Sequence, residues 1–172
     1  ESGIGTDIRQ DLMTKCRLHT ILRLPTGIFY AQGVKTNVMF FEKISNTPRE
    51  DGKDHTDTVW VYDARTNAPK FGKRTPLTKE YFADFIQAYG DDAKGKAQRT
   101  DTGETGRWRS FSREWIRKEK GDSLDISWLK DESLDGENEL PEPEELARGA
   151  ILELEAAIKE IGQILDDITK ST

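Results

Sequence analysis

The sequence predicts an α/β fold, and specifically the last edge of a sheet, followed by a mainly helical extension. Three observations carry that prediction. A short helical pattern gives way to three strand-like apolar runs, Leu18–Leu24, Thr36–Glu42 and Thr58–Asp63. The runs are joined tightly enough that at least one pair is expected to be antiparallel, because parallel neighbours need a long crossover. After residue 78 the periodicity turns helical and ends in a sustained heptad stripe. A parallel sheet with a nucleotide-binding half would need more strands upstream than this chain provides.

Taken in order, Thr6 reads as the N-cap of a helix running to Cys16, with Gln10 near a capping-box position and Ile8, Leu12 and Met13 on one face. The Leu18–Leu24 run reads as a largely buried strand stopped by Pro25. Between Gly27 and Gly33 lie Phe29 and Tyr30, in a stretch too glycine-rich for the interior of an element. Lys43 to Asp57, polar with Pro, Gly and Asn, reads as the surface excursion of a hairpin. Thr78 opens a helix over Lys79–Tyr89 closed by Gly90, with Tyr81, Phe82, Phe85, Ile86 and Tyr89 as a broad apolar face. Asp91 to Gly106 reads as a polar, mobile loop. Ser112 caps a short helix to Glu119 anchored by Trp108, Phe111, Trp115 and Ile116, and Leu124–Leu129 is a short apolar patch. Beyond the acidic linker Lys130–Glu139, a helix over Glu144–Ile168 places Ala147, Ile151, Leu154, Ile158, Ile161, Leu165 and Ile168 at alternating steps of four and three. Such a stripe packs either on its own domain or in a bundle with a partner chain.

With 34% hydrophobic and 34% charged residues, much of the chain is expected to be exposed loop or solvated helix. The net charge of −6 is unevenly spread. Residues 131–172 hold 13 acids and 3 bases, whereas residues 1–78 hold 12 bases and 9 acids. The body is therefore mildly basic, and a DNA-facing surface is compatible with it. Cys16 is the only cysteine, which excludes an intramolecular disulfide and suits a reducing compartment. No signal peptide or apolar run of membrane-spanning length is present in these residues, so the chain reads as soluble and cytoplasmic. It begins at Glu1 with a helix almost at once, which reads as a piece of a longer chain.

Catalytic signatures are missing: there is no G-x-G-x-x-G, no phosphate-binding G-x-x-x-x-G-K, no G-x-S-x-G and no H-E-x-x-H. Cys16 and His19 have the spacing of a metal half-site, but His55 is the only other histidine, so a structural zinc lacks ligands. What remains is the aromatic loop. Phe29 or Tyr30 offers a face for stacking a nucleobase, Lys35 can meet a phosphate and Asn37 can present an amide. The alternative is that Phe29 belongs to the core and Lys35 to solvent. Arg107, Arg109, Arg113, Arg117 and Lys118 form a basic cluster around Trp108 that either tracks a phosphate backbone or is a solvated helix face.

The run Leu24-Pro25-Thr26-Gly27-Ile28-Phe29-Tyr30-Ala31-Gln32-Gly33-Val34-Lys35-Thr36-Asn37-Val38-Met39-Phe40-Phe41 resembles a block of the modification subunit of Type I restriction–modification systems. So do Gly5-Thr6-Asp7-Ile8-Arg9, Leu18-His19-Thr20-Ile21-Leu22, Val59-Trp60-Val61-Tyr62-Asp63, Phe71-Gly72-Lys73-Arg74, Phe82-Ala83-Asp84-Phe85 and Leu124-Asp125-Ile126-Ser127-Trp128-Leu129, all in the same order. The resemblance implies the C-terminal edge of a Rossmann-like, S-adenosylmethionine-dependent adenine methyltransferase sheet. In that scheme residues 1–66 are the distal part of the methyltransferase domain, 67–140 a mixed helix and loop extension, and 141–172 an assembly helix. Phe29, with Tyr30 as the fallback, corresponds to a loop aromatic that stacks on the flipped adenine. Lys35, Asn37, Arg107 and Arg109 become candidate DNA contacts.

The family's Asn-Pro-Pro-Phe motif is absent, since Asn46-Thr47-Pro48 and Asn67-Ala68-Pro69 do not match it, and the glycine-rich cofactor motif is absent as well. The resemblance puts both upstream of Glu1, so these residues alone are expected to be inactive. It also implies double-stranded DNA, a specificity subunit, a second modification subunit and a restriction subunit as partners. Ile151, Leu154, Ile158, Ile161, Leu165 and Ile168 would face the specificity subunit. The rival readings are a non-catalytic assembly module and a free-standing nucleic-acid-binding domain, the second disfavoured by the acidic tail.

Overall fold

Cys16–Arg23 carries aliphatic residues toward both of its faces, and it forms an inner strand, β1, almost wholly buried. The computed structural model describes residues 3–29, 34–69, 71 and 75–130, together with Ile151, Leu154 and Ile158. Within residues 1–130, one compact unit, β1 is flanked by β2 (Asn37–Lys43) and β3 (Thr58–Asp63), and β4 (Trp108–Ser112) follows β3 in the order β2-β1-β3-β4. The β1–β2 pair is antiparallel, as expected of at least one pair, with Arg23 opposite Asn37 and a bulge between Leu18 and Thr20. The β1–β3 pair is parallel, with Arg23 opposite Asp63, and β3–β4 is antiparallel.

β2 and β3 are not neighbours, so Lys43–Asp57 is a crossover past β1 and not the excursion of a hairpin. Its route is set by helix α1 (Ile4–Lys15), whose last-turn carbonyls would otherwise lack partners. Ile44 and Ser45 donate to Lys15 O, and His55 and Thr56 to Thr14 O and Met13 O. The buried Thr56 hydroxyl donates to Cys16 O at 2.7 Å and accepts from Leu18 N at 2.9 Å, which seals the bulge at the start of β1.

α1 starts at Ile4, two residues before the expected cap. Thr6 lies inside its first turn, where its hydroxyl accepts from Arg9 and does not cap. The chain enters β1 directly at Cys16, in extended conformation.

Of the two aromatics expected to anchor the helix capped by Ser112, Phe111 does so, packing on Trp115 at 4.7 Å and sharing a core with Ile116. Trp108 does not, because both lie on a strand, β4. Trp108 and Phe111, three apart, mimic helical spacing, but alternation along β4 sends them to opposite faces of the sheet. Met13, Leu18, Ile21, Val59, Val61, Phe111, Ile116, Leu124 and Ile126 fill one face. Leu22, Leu24, Tyr62, Ala64, Phe85 and Trp108 fill the other, with Phe40, Tyr81, Phe82 and Tyr89 packed against them. The helical pattern over Lys79–Tyr89 becomes a 3₁₀ turn (Lys79–Phe82) and then α2 (Ala83–Tyr89), closed by Gly90 at φ +81°. Ser112 caps α3 (Arg113–Lys120) as expected, its hydroxyl accepting from Trp115 N at 3.1 Å.

Asp91–Gly106, read from composition as mobile, is pinned to the second face. Arg99 lies over the rings of Tyr89 (4.5 Å) and Trp108 (5.3 Å) and donates to Thr20 Oγ1. Gly95 sits so close to His19 that an added Cβ would be 2.3 Å from Nδ1.

Residues 131–172 form a second unit. Ile151, Leu154 and Ile158 are helical, with their side chains exposed. The acidic linker beyond Lys130 and the remainder of the heptad stripe, including Ile161, Leu165 and Ile168, lie outside the described residues. No helix among the described residues is long and apolar enough to cross a membrane.

Candidate functional site

In open α/β sheets, ligands gather outside the carboxyl ends of parallel strands. Here β1 and β3 end side by side at Arg23 and Asp63, and both side chains are buried. Arg23 Nη1 donates to Asp63 Oδ2 at 2.5 Å. The other oxygen of Asp63 accepts the backbone N–H groups of Arg65 and Thr66, each at 2.8 Å, and the Thr66 hydroxyl bonds Oδ2 at 2.9 Å. One carboxylate therefore shapes the turn after β3 as well as neutralising Arg23. Arg107 closes the turn from outside, its Nη1 donating to the carbonyls of Asp63 (2.7 Å) and Thr66 (2.8 Å).

That turn sends Arg65 back toward the aromatic loop. Its Nε donates to Leu24 O at 2.9 Å, and its Nη2 to Thr36 O at 2.7 Å and to Asn37 Oδ1 at 3.0 Å. Leu24 N also donates to Thr36 O, so both stems of the loop over residues 25–35 meet at this guanidinium. Burial, with the neighbouring Arg23 charge, pulls the Arg65 pKa below its ordinary value, against the pull of Asp125 and Asp63. Asp125, 55% exposed, stands 3.7 Å from both guanidinium groups.

On the loop, Gly27 adopts φ +77° beside Phe71 O, a conformation that side chains rarely take. Ile28 then packs against the second core, and Phe29 is 51% exposed. Phe71 lies edge-on to Tyr81 (5.0 Å), whose hydroxyl donates to Ala64 O at 2.6 Å. Lys35 is exposed and Asn37 half-buried, while Tyr30 lies outside the described residues. The structure thus brings Asn37 and Arg107 into one network with Arg65 and Asp63, beneath the loop that carries Phe29.

Arg109 is elsewhere. It sits on the first face, over Phe111 (5.2 Å) and Trp128 (5.8 Å). The rest of the basic cluster splits up too. Arg113 is buried and pairs with Asp54 (2.6 Å) and Asp122, and Arg117 also reaches Asp54 (2.8 Å). Asp122 accepts from Gln10 as well, which ties α1 to α3. Arg113 is thus a structural clamp, and Lys118 pairs with Glu114 on the exposed helix face.

Sequence reasoning passed over Arg23, Asp63 and Arg65. The available signal was charge at the ends of strands with two buried faces, where a charged side chain must find a partner.

A family model described as "N-6 DNA Methylase" matches residues 1–117. The chain is 51% identical over 195 residues to the methylase subunit of the type I restriction enzyme EcoKI of Escherichia coli (strain K12), covering 99% of this chain and 37% of that protein. It is 50% identical over 192 residues to the StySPI methylase subunit of Salmonella potsdam, covering 98% and 36%. The crystal structure of the EcoKI M protein matches with a TM-score of 0.67 and 51% identity over 98% of this chain and 38% of that one. A structure described as the basis of complex assembly and conformational transition of the type I R-M system matches at 0.53, with 27% identity over 100% and 34%. The chain spans a little over a third of the length of the curated relatives. By its match over residues 1–117, this chain belongs to the N-6 DNA methylase family.

Proposed function

We propose that this chain is the C-terminal part of an adenine-specific DNA methyltransferase subunit of a type I restriction–modification complex, and that its aromatic loop holds the target base. The supporting observation is Phe29: half its surface is exposed, while Ile28 beside it is anchored and both loop stems are fixed. An aromatic face presented this way stacks on a flipped adenine, with Tyr30 as the alternative. Lys35, Asn37, Arg107 and Arg109 are the proposed DNA contacts. Asn37 gives its carbonyl oxygen to Arg65, so its amide nitrogen is the group offered to DNA.

S-adenosylmethionine is the proposed methyl donor. At the carboxyl ends of β1 and β3 the described side chains do not fit it, because Arg23, Asp63 and Arg65 are buried and already committed to one another, to the turn after β3 and to the loop stems. Its binding and the transfer step are assigned to residues outside this chain.

The Rossmann-like sheet is proposed to continue beyond β2, which ends the observed strand order and exposes Val38, Met39 and Phe41. Residues 1–66 are the distal part of that domain, 67–140 its extension and 141–172 an assembly helix, in a cytoplasmic complex. The helix is proposed to seat its heptad stripe on the specificity subunit, alongside a second modification subunit and the restriction subunit. Exposed Ile151, Leu154 and Ile158 support this. Replacing Ile158 and Ile161 together with Asp is expected to abolish co-purification with the specificity subunit, and unchanged co-purification would sink the assignment.

For the base, the test is the intact complex on DNA with a fluorescent adenine analogue at the target. Phe29→Ala is expected to lower the flipping signal and to reduce kcat/KM about tenfold to a hundredfold, the range for loss of one base–aromatic stack. An undiminished signal removes Phe29 from the role.

A further inference from the structure

We infer that Arg65 is a positioning residue for base capture: it clasps the two stems of the aromatic loop and so sets where Phe29 stands. This rests on the proposed adenine-holding role of Phe29. Leu24 and Thr36 flank the loop, one just after β1 and the other just before β2, and a single guanidinium donates to both carbonyls and to Asn37 Oδ1. The β1–β2 ladder stops at Arg23 and Asn37, so beyond it, among the described residues, the two stems are joined by Arg65 and the Leu24–Thr36 backbone bond. Arg65 is itself aimed from behind, because Asp63 fixes its backbone N–H and the turn that points it.

The chemistry is specific to arginine. Nε and Nη2 donate from fixed positions on one planar group, and an ammonium on a flexible stem cannot reproduce that fork. A loop of this length with free stems samples many end geometries, and each one moves Phe29. A shift of about 1 Å in a group that holds a substrate can cost about a hundredfold in rate.

The test uses the intact complex on target DNA. Arg65→Lys is expected to lower kcat about tenfold or more, to weaken the flipping signal of the adenine analogue, and to leave KM for S-adenosylmethionine and subunit co-purification unchanged. Combined with Phe29→Ala, it is expected to add nothing further, since it acts through Phe29. If Arg65→Lys lowers the yield of folded complex, Arg65→Gln takes its place. The Gln amide nitrogen sits near the position of Nε, keeping the bond to Leu24 O while losing those to Thr36 and Asn37. Wild-type kcat in both variants, or a loss fully additive with Phe29→Ala, overturns the inference. If Phe29→Ala itself is silent, the base-holding reading has failed, and the Arg65 inference falls with it. A strong Phe29 effect beside a silent Arg65 overturns the clasp alone.

Discussion

Replacing Asp63 with Ala is expected to destabilise the unit of residues 1–130 by about 3–5 kcal/mol, the range for removing one partner of a buried ion pair. Three losses coincide. Arg23 keeps its charge in a buried site without its 2.5 Å partner. The turn after β3 loses the acceptor for two backbone N–H groups and the Thr66 hydroxyl. Arg65, buried nearby, loses one of its two balancing charges and keeps Asp125. Most of the damage is the buried Arg23 charge, left with only the exposed Asp125 at 3.7 Å, so adding Arg23→Met to Asp63→Ala is expected to recover part of the stability. Asp63→Asn keeps an acceptor for the turn and is expected to fall between the two. Urea unfolding of the intact subunit, followed by the fluorescence of Trp60 and Trp108 near this turn, measures the series. A loss under about 1 kcal/mol for Asp63→Ala would mean that the carboxylate is not the hub described.

The pH dependence of stability is expected to be governed by His19 between neutrality and about pH 5. Burial, then the charges of Arg17 and Arg99, hold its pKa at about 4 against an ordinary 6.5, while Glu42 and Asp92 pull the other way. Folded His19 therefore stays neutral while the unfolded chain takes up a proton. Its contribution is complete above pH 6.5 and is lost as pH falls toward 4. The full loss is of order 3 kcal/mol, at no more than about 1.4 kcal/mol per pH unit. The carboxyl groups of Glu42, Asp92, Asp101 and Asp122 are also held low, but their effect belongs below their ordinary values of 4.5 and 3.8. Thermal unfolding of the intact subunit from pH 7 to about pH 5 isolates the histidine. His19→Gln cannot titrate and should give a nearly flat profile over that interval; an unchanged slope would assign the dependence to another group.

Much of the strand content was legible because it rests on local chemistry. The aliphatic run of β1, the Gly90 stop and the Ser112 cap announce themselves within a few residues. The order of the strands was not legible, because Lys43–Asp57 looks the same whether it turns back or crosses over. What decides is its capture by the last carbonyls of α1, a contact between distant segments. β4 was missed because Trp108 and Phe111 imitate a helical step. Asp91–Gly106 looked mobile because polarity was visible and the Arg99 contacts with Tyr89 and Trp108 were not. At the site, Phe29 stood out by chemistry and context, whereas Arg65 looked like one arginine among many until the turn at Asp63 gave it a direction.

The strand order also fixes a sequence of events in folding. β1 and β2 are adjacent in the chain and can zip together as a local hairpin, but the clasp comes from beyond β3, which docks on the far side of β1 in the slower, non-local parallel pairing. Arg65 cannot reach Leu24 and Thr36 until that pairing exists. The loop that carries Phe29 therefore takes its final shape only after the parallel β1–β3 pairing has formed, and a nascent chain stalled before β3 would display the aromatic without its aim.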